Sequence, residues 1–280
     1  MGEGVVARPG EALLVGEGMR TAEMGAAART WATECVDLSI VVPAYNEAEN
    51  LARLVEEIRA TMVDTGLAWE MIIVDDGSTD ASATILDHLA SAEPHLHPVH
   101  LPRRRGQTTA LLAGFDAASG RLLATLDADL QCRALELPML LGALGDNAMA
   151  CGIRQARDDP SSRRLASAVS NAVRRLFLAR ELRDLAGPLR VFRADAFESV
   201  RASGLLFDGA HRWLPALFQL AGFHVVQRPV SHYPRTAGVS KYTTRGRIIP
   251  IAREVIQVIV RRARFRRGLA RGAPGRLRGR

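Results

Sequence analysis

The chain is 280 residues long, 48% hydrophobic and 24% charged, an ordinary globular composition able to bury one large domain, or one domain with an extension. Its net charge of +7 is unevenly placed: residues 245–280 hold 12 Arg against the single acid Glu254, a local +11 that leaves −4 for residues 1–244. The basicity is a tail property, which does not support a chain-wide nucleic-acid footprint, and three widely spaced cysteines (Cys35, Cys132, Cys151), odd in number and without metal-ligand spacing, point to a reducing compartment over a disulfide framework.

Residues 1–35 are rich in Gly, Ala and Glu, with no basic start followed by a long apolar run, so they read as a disordered leader and not a signal peptide. Leu38 to Pro43 is a short β-branched strand, and Ala44-Tyr45-Asn46-Glu47 turns out of it into a helix over Glu47 to Val63, whose Leu51, Leu54, Val55 and Ile58 fall at helical spacing. A second strand, Trp69 to Val74, breaks at Asp75-Asp76-Gly77-Ser78-Thr79-Asp80 and resumes as a helix to about Ser91, with Thr79 or Asp80 suited to the N-cap. Pro98 to Leu101 reads as the third strand, followed by the basic loop Arg103-Arg104-Arg105-Gly106, a helix from Gln107 to Ala118, and a strand from Leu122 to Leu126.

Repeated βα units of this kind predict an α/β fold with a mostly parallel central sheet and helices on both faces. In such sheets ligands bind beyond the carboxyl ends of the strands, where Tyr45-Asn46-Glu47, Asp75-Asp76 and Asp127-Ala128-Asp129 all fall. Further strands are expected at Ala148 to Ile153, Leu189 to Arg193 and Phe223 to Val230. Ser161 to Ala179 reads as a basic amphipathic helix, and Gly209 to Leu220 as a helix with Pro215 in or near its first turn. Arg235 to Gly246, with two glycines and few core formers, reads as a mobile basic loop over the rim.

The last ordered helix is expected over Ile248 to Phe265 as a basic C-terminal helix. Its apolar run of about 13 residues is too short for a bilayer, which requires about 20. With Arg261, Arg262, Arg264, Arg266 and Arg267 behind it, the helix suits an anionic membrane surface, or alternatively docks on the core with a solvated basic end. The boundaries are thus a leader (1–35), an α/β domain (36–244), a basic helix (245–267) and a disordered Arg/Gly-rich tail (268–280).

Asp127 and Asp129 end an apolar strand with one small residue between them. Two carboxylates there repel each other and are costly to desolvate, so a cation is expected, and oxygen ligands select Mg²⁺ or Mn²⁺. Such ions keep positions open for phosphate oxygens, which makes a diphosphate the natural guest. A solvated acidic turn is the plain alternative. Of 37 Lys plus Arg only Lys241 is lysine, which hints at a need for a movable ammonium at that place.

SIVVPAYNEAENL, IIVDDGSTD, GQTTALLAGFDAASG, LDADLQ, DLAGPLRVFR, HRWLPAL and PRTAGVSKY occur in that order. Together they resemble family 2 glycosyltransferases of the Rossmann-like GT-A fold, from about Leu38 to Tyr242. The last two motifs and Gln131 look most like the branch that loads a sugar onto a polyprenyl phosphate, including dolichol-phosphate mannose synthases. The resemblance implies that Pro43, Tyr45 and Glu47 line a nucleoside pocket, that Asp76 reads the base while Asp75 holds its loop, and that Asp127, Ala128 and Asp129 meet the diphosphate. It assigns the metal to Asp127, Asp129 and Gln131. Arg154, Arg212, Arg235 and Lys241 match positions that meet the sugar or phosphates, and Asp184 an orienting position, so the catalytic set reads Asp129, Arg154, Asp184, Arg212, Arg235 and Lys241.

The implied reaction is an inverting, metal-dependent displacement from a UDP- or GDP-sugar onto a lipid phosphate, which is already ionised at neutral pH and requires no general base. Two features depart from the pattern. Cys132-Arg133-Ala134-Leu135-Glu136 replaces the usual prolines and acid after Gln131, and a short basic helix stands where bacterial members often have two membrane-spanning helices. The expectation is a cytoplasmic protein, peripheral at the inner face of the membrane, with a possible separate membrane-spanning partner. The rivals are transfer to a hydroxyl of a glycolipid, polysaccharide or small metabolite, which would require a base the sequence does not show, a sugar-nucleotide pyrophosphorylase, whose glycine-rich opening is absent, and an inert basic-tailed adaptor.

Overall fold

The computed structural model describes residues 13–14, 35–154, 182, 184–185, 187–233 and 245–270. Strand β1 (Leu38–Ala44) is almost entirely buried, because its alternate residues face two different cores. Ile40 and Val42 lie against helix α1 (Ala48–Met62), whose Leu51, Leu54 and Ile58 present one apolar face, while Val41 lies against helix α3 (Gln107–Ala117). That double burial is what an apolar parallel strand between two helical layers requires.

Strand β2 (Trp69–Asp75), helix α2 (Ser82–Ala92), strand β3 (Leu96–His100), α3 and strand β4 (Leu122–Thr125) complete the N-terminal half. A 3-10 turn (Ala134–Glu136), helix α4 (Leu137–Leu144) and strand β5 (Met149–Arg154) follow. After strand β6 (Arg190–Arg193) come helix α5 (Ala194–Ala202), a 3-10 turn at Ala210–Arg212, helix α6 (Leu214–Leu220), strand β7 (Val225–Val230) and helix α7 (Arg245–Ala270).

The sheet order is β3-β2-β1-β4-β6-β5-β7, with β6 the antiparallel member against both β4 and β5. The other pairs are parallel, so the fold class is as expected. Leu13–Leu14, within the stretch expected as a leader, form a two-residue parallel strand outside β3. One core holds α1, α2 and α4; the other holds α3, α5, α6 and the inner side of α7. The second is centred on Phe115, Phe192, Phe197 and Phe218, whose rings meet edge-on or tilted at centroid separations of 4.7–5.7 Å.

Several boundaries differ from expectation. The third strand begins at Leu96, before the expected Pro98. Asp80 does not cap α2 as its N-cap, which is Ala81; its two carboxylate oxygens instead accept the Ser82 and Ala48 amides, tying the starts of α2 and α1 together. The expected helix over Gly209 to Leu220 is a 3-10 turn followed by α6, with Pro215 in the first turn. Helix α7 starts at Arg245, so the end of the expected mobile loop is helical, and it runs past Arg267 to Ala270. The helix expected over Ser161 to Ala179 lies outside the described residues, as does the loop from 234 to 244. Among the described residues no helix is long and apolar enough to cross a membrane.

Candidate active site

The parallel registers place the ends of β1, β2 and β4 along one rim: Ala44 pairs with Asp75, and Val41 with Thr125. Above that rim lies a cavity of about 170 Å³, lined by Pro43, Ala44, Tyr45, Glu47, Asp76, Arg104, Gly106, Gln107, Ala110, Asp127, Ala128 and Asp129. A wider hollow of about 590 Å³ adjoins it, sharing Tyr45 and Arg104. All seven other nucleotide-site residues expected from the sequence line the first cavity; Asp75 lines the second.

The first two loops are fastened to each other. Asn46, in the left-handed region at φ 52°, donates its backbone N–H to Ser78 Oγ at 2.8 Å and accepts the Thr79 amide on its side-chain oxygen at 2.8 Å. The Glu47 amide donates to Ser82 Oγ at 3.0 Å, and the Glu47 carboxylate accepts from Asn50 Nδ2 at 2.7 Å. Asp75 accepts the Ser78 amide at 3.0 Å, which closes its own loop. Burial works against ionisation of Asp75, but hydrogen bonds from His100 and Ser78 outweigh it and hold the carboxyl below its ordinary range. His100 lies between Asp75 (3.4 Å) and Asp87 (3.0 Å); the Asp75 bond, opposed by burial and aided by Asp87, raises its pKa.

Asp76 has a structural task that its expected role did not include. Its two oxygens accept the backbone amides of Arg105 (2.6 Å) and Gly106 (2.8 Å), pinning the basic loop to the second strand. Gly77 permits this approach: at φ 65° it sits so close to that loop that an added Cβ would be 2.4 Å from the Arg103 carbonyl carbon. The pinned loop carries Arg104 over the Tyr45 ring, 4.3 Å from its centroid, so one face of that ring is already covered by a guanidinium.

Asp127 and Asp129 are half-buried at the tip of β4. Gln107, the first residue of α3, donates its side-chain amide to Asp127 Oδ1 at 2.9 Å. Leu130 takes a left-handed conformation (φ 57°), and the Gln131 amide turns back to Asp129 Oδ1 at 3.1 Å. Gln131 itself is outside the cavity lining: its side-chain amide donates to the Tyr233 carbonyl at 3.4 Å, acting as a strut to the segment after β7. The unusual Cys132–Glu136 stretch is held by Glu57 of α1, which pairs with Arg133 and accepts the Ala134 amide at 2.7 Å, while Glu136 accepts the Ser231 amide at 3.1 Å.

Arg212, expected to meet a phosphate, is paired with Glu254 of α7, which also accepts Trp213 Nε1 at 3.0 Å. Asp184 lies outside the cavity lining, beside β5 and β6; its carbonyl accepts from Gln227 Nε2 at 2.6 Å. Arg154 ends β5, and its side chain, like Arg235 and Lys241, lies outside the described residues.

A divalent ion fits the donor set. Among the described residues no group of three or more His, Cys, Asp or Glu could hold a metal by itself. Two carboxylates opening into a cavity are the protein share that Mg²⁺ or Mn²⁺ takes when substrate phosphates and water complete the octahedron. Gln107, Arg104 and Gly106 were not singled out as site residues. The signal was the Arg-Gly-Gln-Thr run opening a helix at the same rim, where a helix N-terminus favours an anion.

Comparison with known proteins adds to this geometry. A family model described as glycosyl transferase family 2 matches residues 39–201. The chain is 33% identical over 208 residues to an undecaprenyl-phosphate 4-deoxy-4-formamido-L-arabinose transferase of Salmonella paratyphi A, covering 74% of the chain and 62% of that protein. It is 34% identical over 215 residues to the dodecaprenyl-phosphate galacturonate synthase of Rhizobium johnstonii, covering 75% and 62%. The chain therefore spans less than two thirds of the length of these relatives.

Among solved structures, glucosyl-3-phosphoglycerate synthase from Mycobacterium tuberculosis, in complex with Mn²⁺, UDP-glucose and phosphoglyceric acid, superposes with a TM-score of 0.57 at 19% identity, covering 92% of this chain and 89% of that one. A mannosyltransferase from Pyrobaculum calidifontis in complex with GDP-mannose and Mn²⁺ gives 0.55 at 16%, covering 86% and 76%. These likenesses are of fold, and the fold is GT-A.

Proposed function

Because the chain belongs to glycosyl transferase family 2, we propose that it moves a sugar from a nucleotide-sugar donor to a polyprenyl phosphate by a metal-assisted, inverting displacement. The observation that carries this reading is the shared cavity, in which Asp127 and Asp129 open beside Tyr45, Glu47 and Asp76. The names of the relatives, both polyprenyl-phosphate sugar enzymes, support the acceptor.

In this reading Asp127 and Asp129 hold Mg²⁺ or Mn²⁺, and the bound ion supplies charge neutralisation for the departing nucleoside diphosphate. Pro43, Ala44 and Tyr45 wall the nucleoside, and Glu47 accepts from the ribose. Since Arg104 covers one face of Tyr45, the base takes the other face or displaces the guanidinium. Asp76 acts chiefly by fixing the loop that carries Arg104, with its remaining lone pairs available to the base. Arg154, Arg235 and Lys241 are assigned to the sugar and phosphates, and Asp184 to an orienting role. The acceptor phosphate arrives ionised, so positioning and charge neutralisation replace a general base.

Helix α7 supplies a route to the lipid. Arg253, Ile256, Val260, Arg264 and Arg267 are spaced three or four apart and all exposed, forming an outward stripe with two apolar residues bracketed by cations. This supports peripheral binding to an anionic membrane on its cytoplasmic side, with or without a separate membrane-spanning partner. The test is to incubate the protein with labelled UDP- and GDP-sugars, Mn²⁺ or Mg²⁺, and undecaprenyl phosphate in vesicles. Label is expected in the organic phase; label found only on a water-soluble hydroxyl acceptor would overturn the reading.

A further inference from the structure

Glu254 stands out as the only acid in residues 245–280, which carry 12 Arg, yet it is 6% exposed while six arginines of the same helix (Arg253, Arg261, Arg262, Arg264, Arg266 and Arg267) face solvent or lie half-buried. A carboxylate is buried at such a place only if its partners are fixed. Those partners all belong to one turn, Gly209–Trp213. Arg212 forms an ion pair with it, the Trp213 indole donates to it at 3.0 Å, and Gly209 lies flat against it. A Cβ at Gly209 would come within 2.7 Å of the Glu254 carboxyl carbon, at a φ of 97° that already favours glycine.

The same turn grips α3 from its other side. The Gly209 amide donates to Thr108 Oγ1 at 2.9 Å, and His211 Nδ1 meets the same hydroxyl at 2.7 Å. Burial, with the Arg212 and Arg190 cations, brings the His211 pKa down to about 3, so this contact is between neutral groups across the neutral pH range. Thr108 is buried at the first turn of α3, and the residue before it is Gln107, whose amide holds Asp127.

We propose that Glu254 is a positioning residue for the donor site: through the Gly209–Trp213 turn, Thr108 and Gln107, the docking of the C-terminal helix sets the orientation of Asp127 toward the metal and diphosphate. The proposal rests on the functional reading above. It makes α7 part of the catalytic unit: its outward stripe is free to engage a surface while its buried acid sets the tip of β4 through three contacts and the Gln107–Thr108 peptide link. A purely structural Glu254 would hold the helix on the domain without altering how Asp127 binds a cation.

The test is calorimetric titration of Mn²⁺ into the full chain at saturating UDP, and in parallel at saturating GDP, for wild type, Glu254→Gln, Thr108→Val and the double variant, with Trp fluorescence and thermal melting alongside. About a tenfold rise in the Mn²⁺ Kd is expected for each single variant, the scale of losing a supporting contact behind a metal ligand. The double variant should lose little more than either one, because both act on the same chain of contacts. Thr108→Val should do this with Trp213 emission unchanged, since Glu254 stays docked, so the test stands even if Glu254→Gln unfolds. Wild-type Mn²⁺ affinity in a folded Glu254→Gln protein, or in Thr108→Val, would overturn the proposal alone. A wild-type protein that binds neither nucleotide with Mn²⁺ would overturn the functional reading and this proposal with it.

Discussion

Gln107 reaches Asp127 from twenty positions earlier in the chain, and the contact exists because α3 begins at the same rim where β4 ends. Removing it should leave the fold intact and loosen the carboxylate. Gln107→Ala is therefore expected to weaken Mn²⁺ binding about tenfold with a change in stability of at most about 0.5 kcal/mol, as for a half-exposed residue; titration calorimetry and a thermal melt check the two halves. His100 gives a prediction in pH. Its folded pKa is raised by Asp75 and Asp87, so its stabilising contribution is full below the unfolded value and is lost as pH rises through the folded one. Between roughly pH 6 and pH 8 the melting temperature of wild type should fall relative to that of His100→Gln; parallel profiles would contradict it. Asp127 and Asp129 were legible in the sequence because two carboxylates one residue apart at the end of an apolar strand are a local signal. The partners of Asp76, Asp127 and Arg212 were not, because each comes from a distant segment that only the sheet order brings near.

Helix α7 shows how far composition carries an element and where it stops. The run of arginines implied a basic face, and the alternatives of a membrane surface and a docked helix were both open. The described helix has both aspects: Val258 is fully buried while Ile256 is 62% exposed two residues away. Arg261 turns inward to the Gly204 carbonyl at 2.8 Å, so it is not part of the outward basic face. Val258→Glu should cost several kcal/mol of stability, since it buries an unpaired charge. Ile256→Glu with Val260→Glu should leave the melting temperature unchanged and abolish most sedimentation with phosphatidylglycerol vesicles. Vesicle binding that survives the second pair would remove α7 as the membrane contact. Helices α4 and α5 were not anticipated: Leu137–Leu144 is apolar nearly throughout and so has little periodicity, and Ala194–Ala202 is two and a half turns without a distinctive cap.

At the scale of the molecule, the alternation of apolar strands and amphipathic helices was enough to imply a doubly covered, mostly parallel sheet. It did not imply the position of β6, whose antiparallel insertion between β4 and β5 is a long-range pairing with no local signature. The charge division, −4 over residues 1–244 against +11 over 245–280, sets a net-acidic stretch against a basic end. Binding to anionic vesicles should accordingly weaken as salt rises. Transfer of labelled sugar by wild type and Asp129→Ala, with and without Mn²⁺, tests whether Asp127 and Asp129 hold a divalent ion beneath a nucleotide's diphosphate. Wild-type transfer should require the metal, and Asp129→Ala should fall to background with an unchanged melting temperature; full turnover by the folded variant would rule out that ion site.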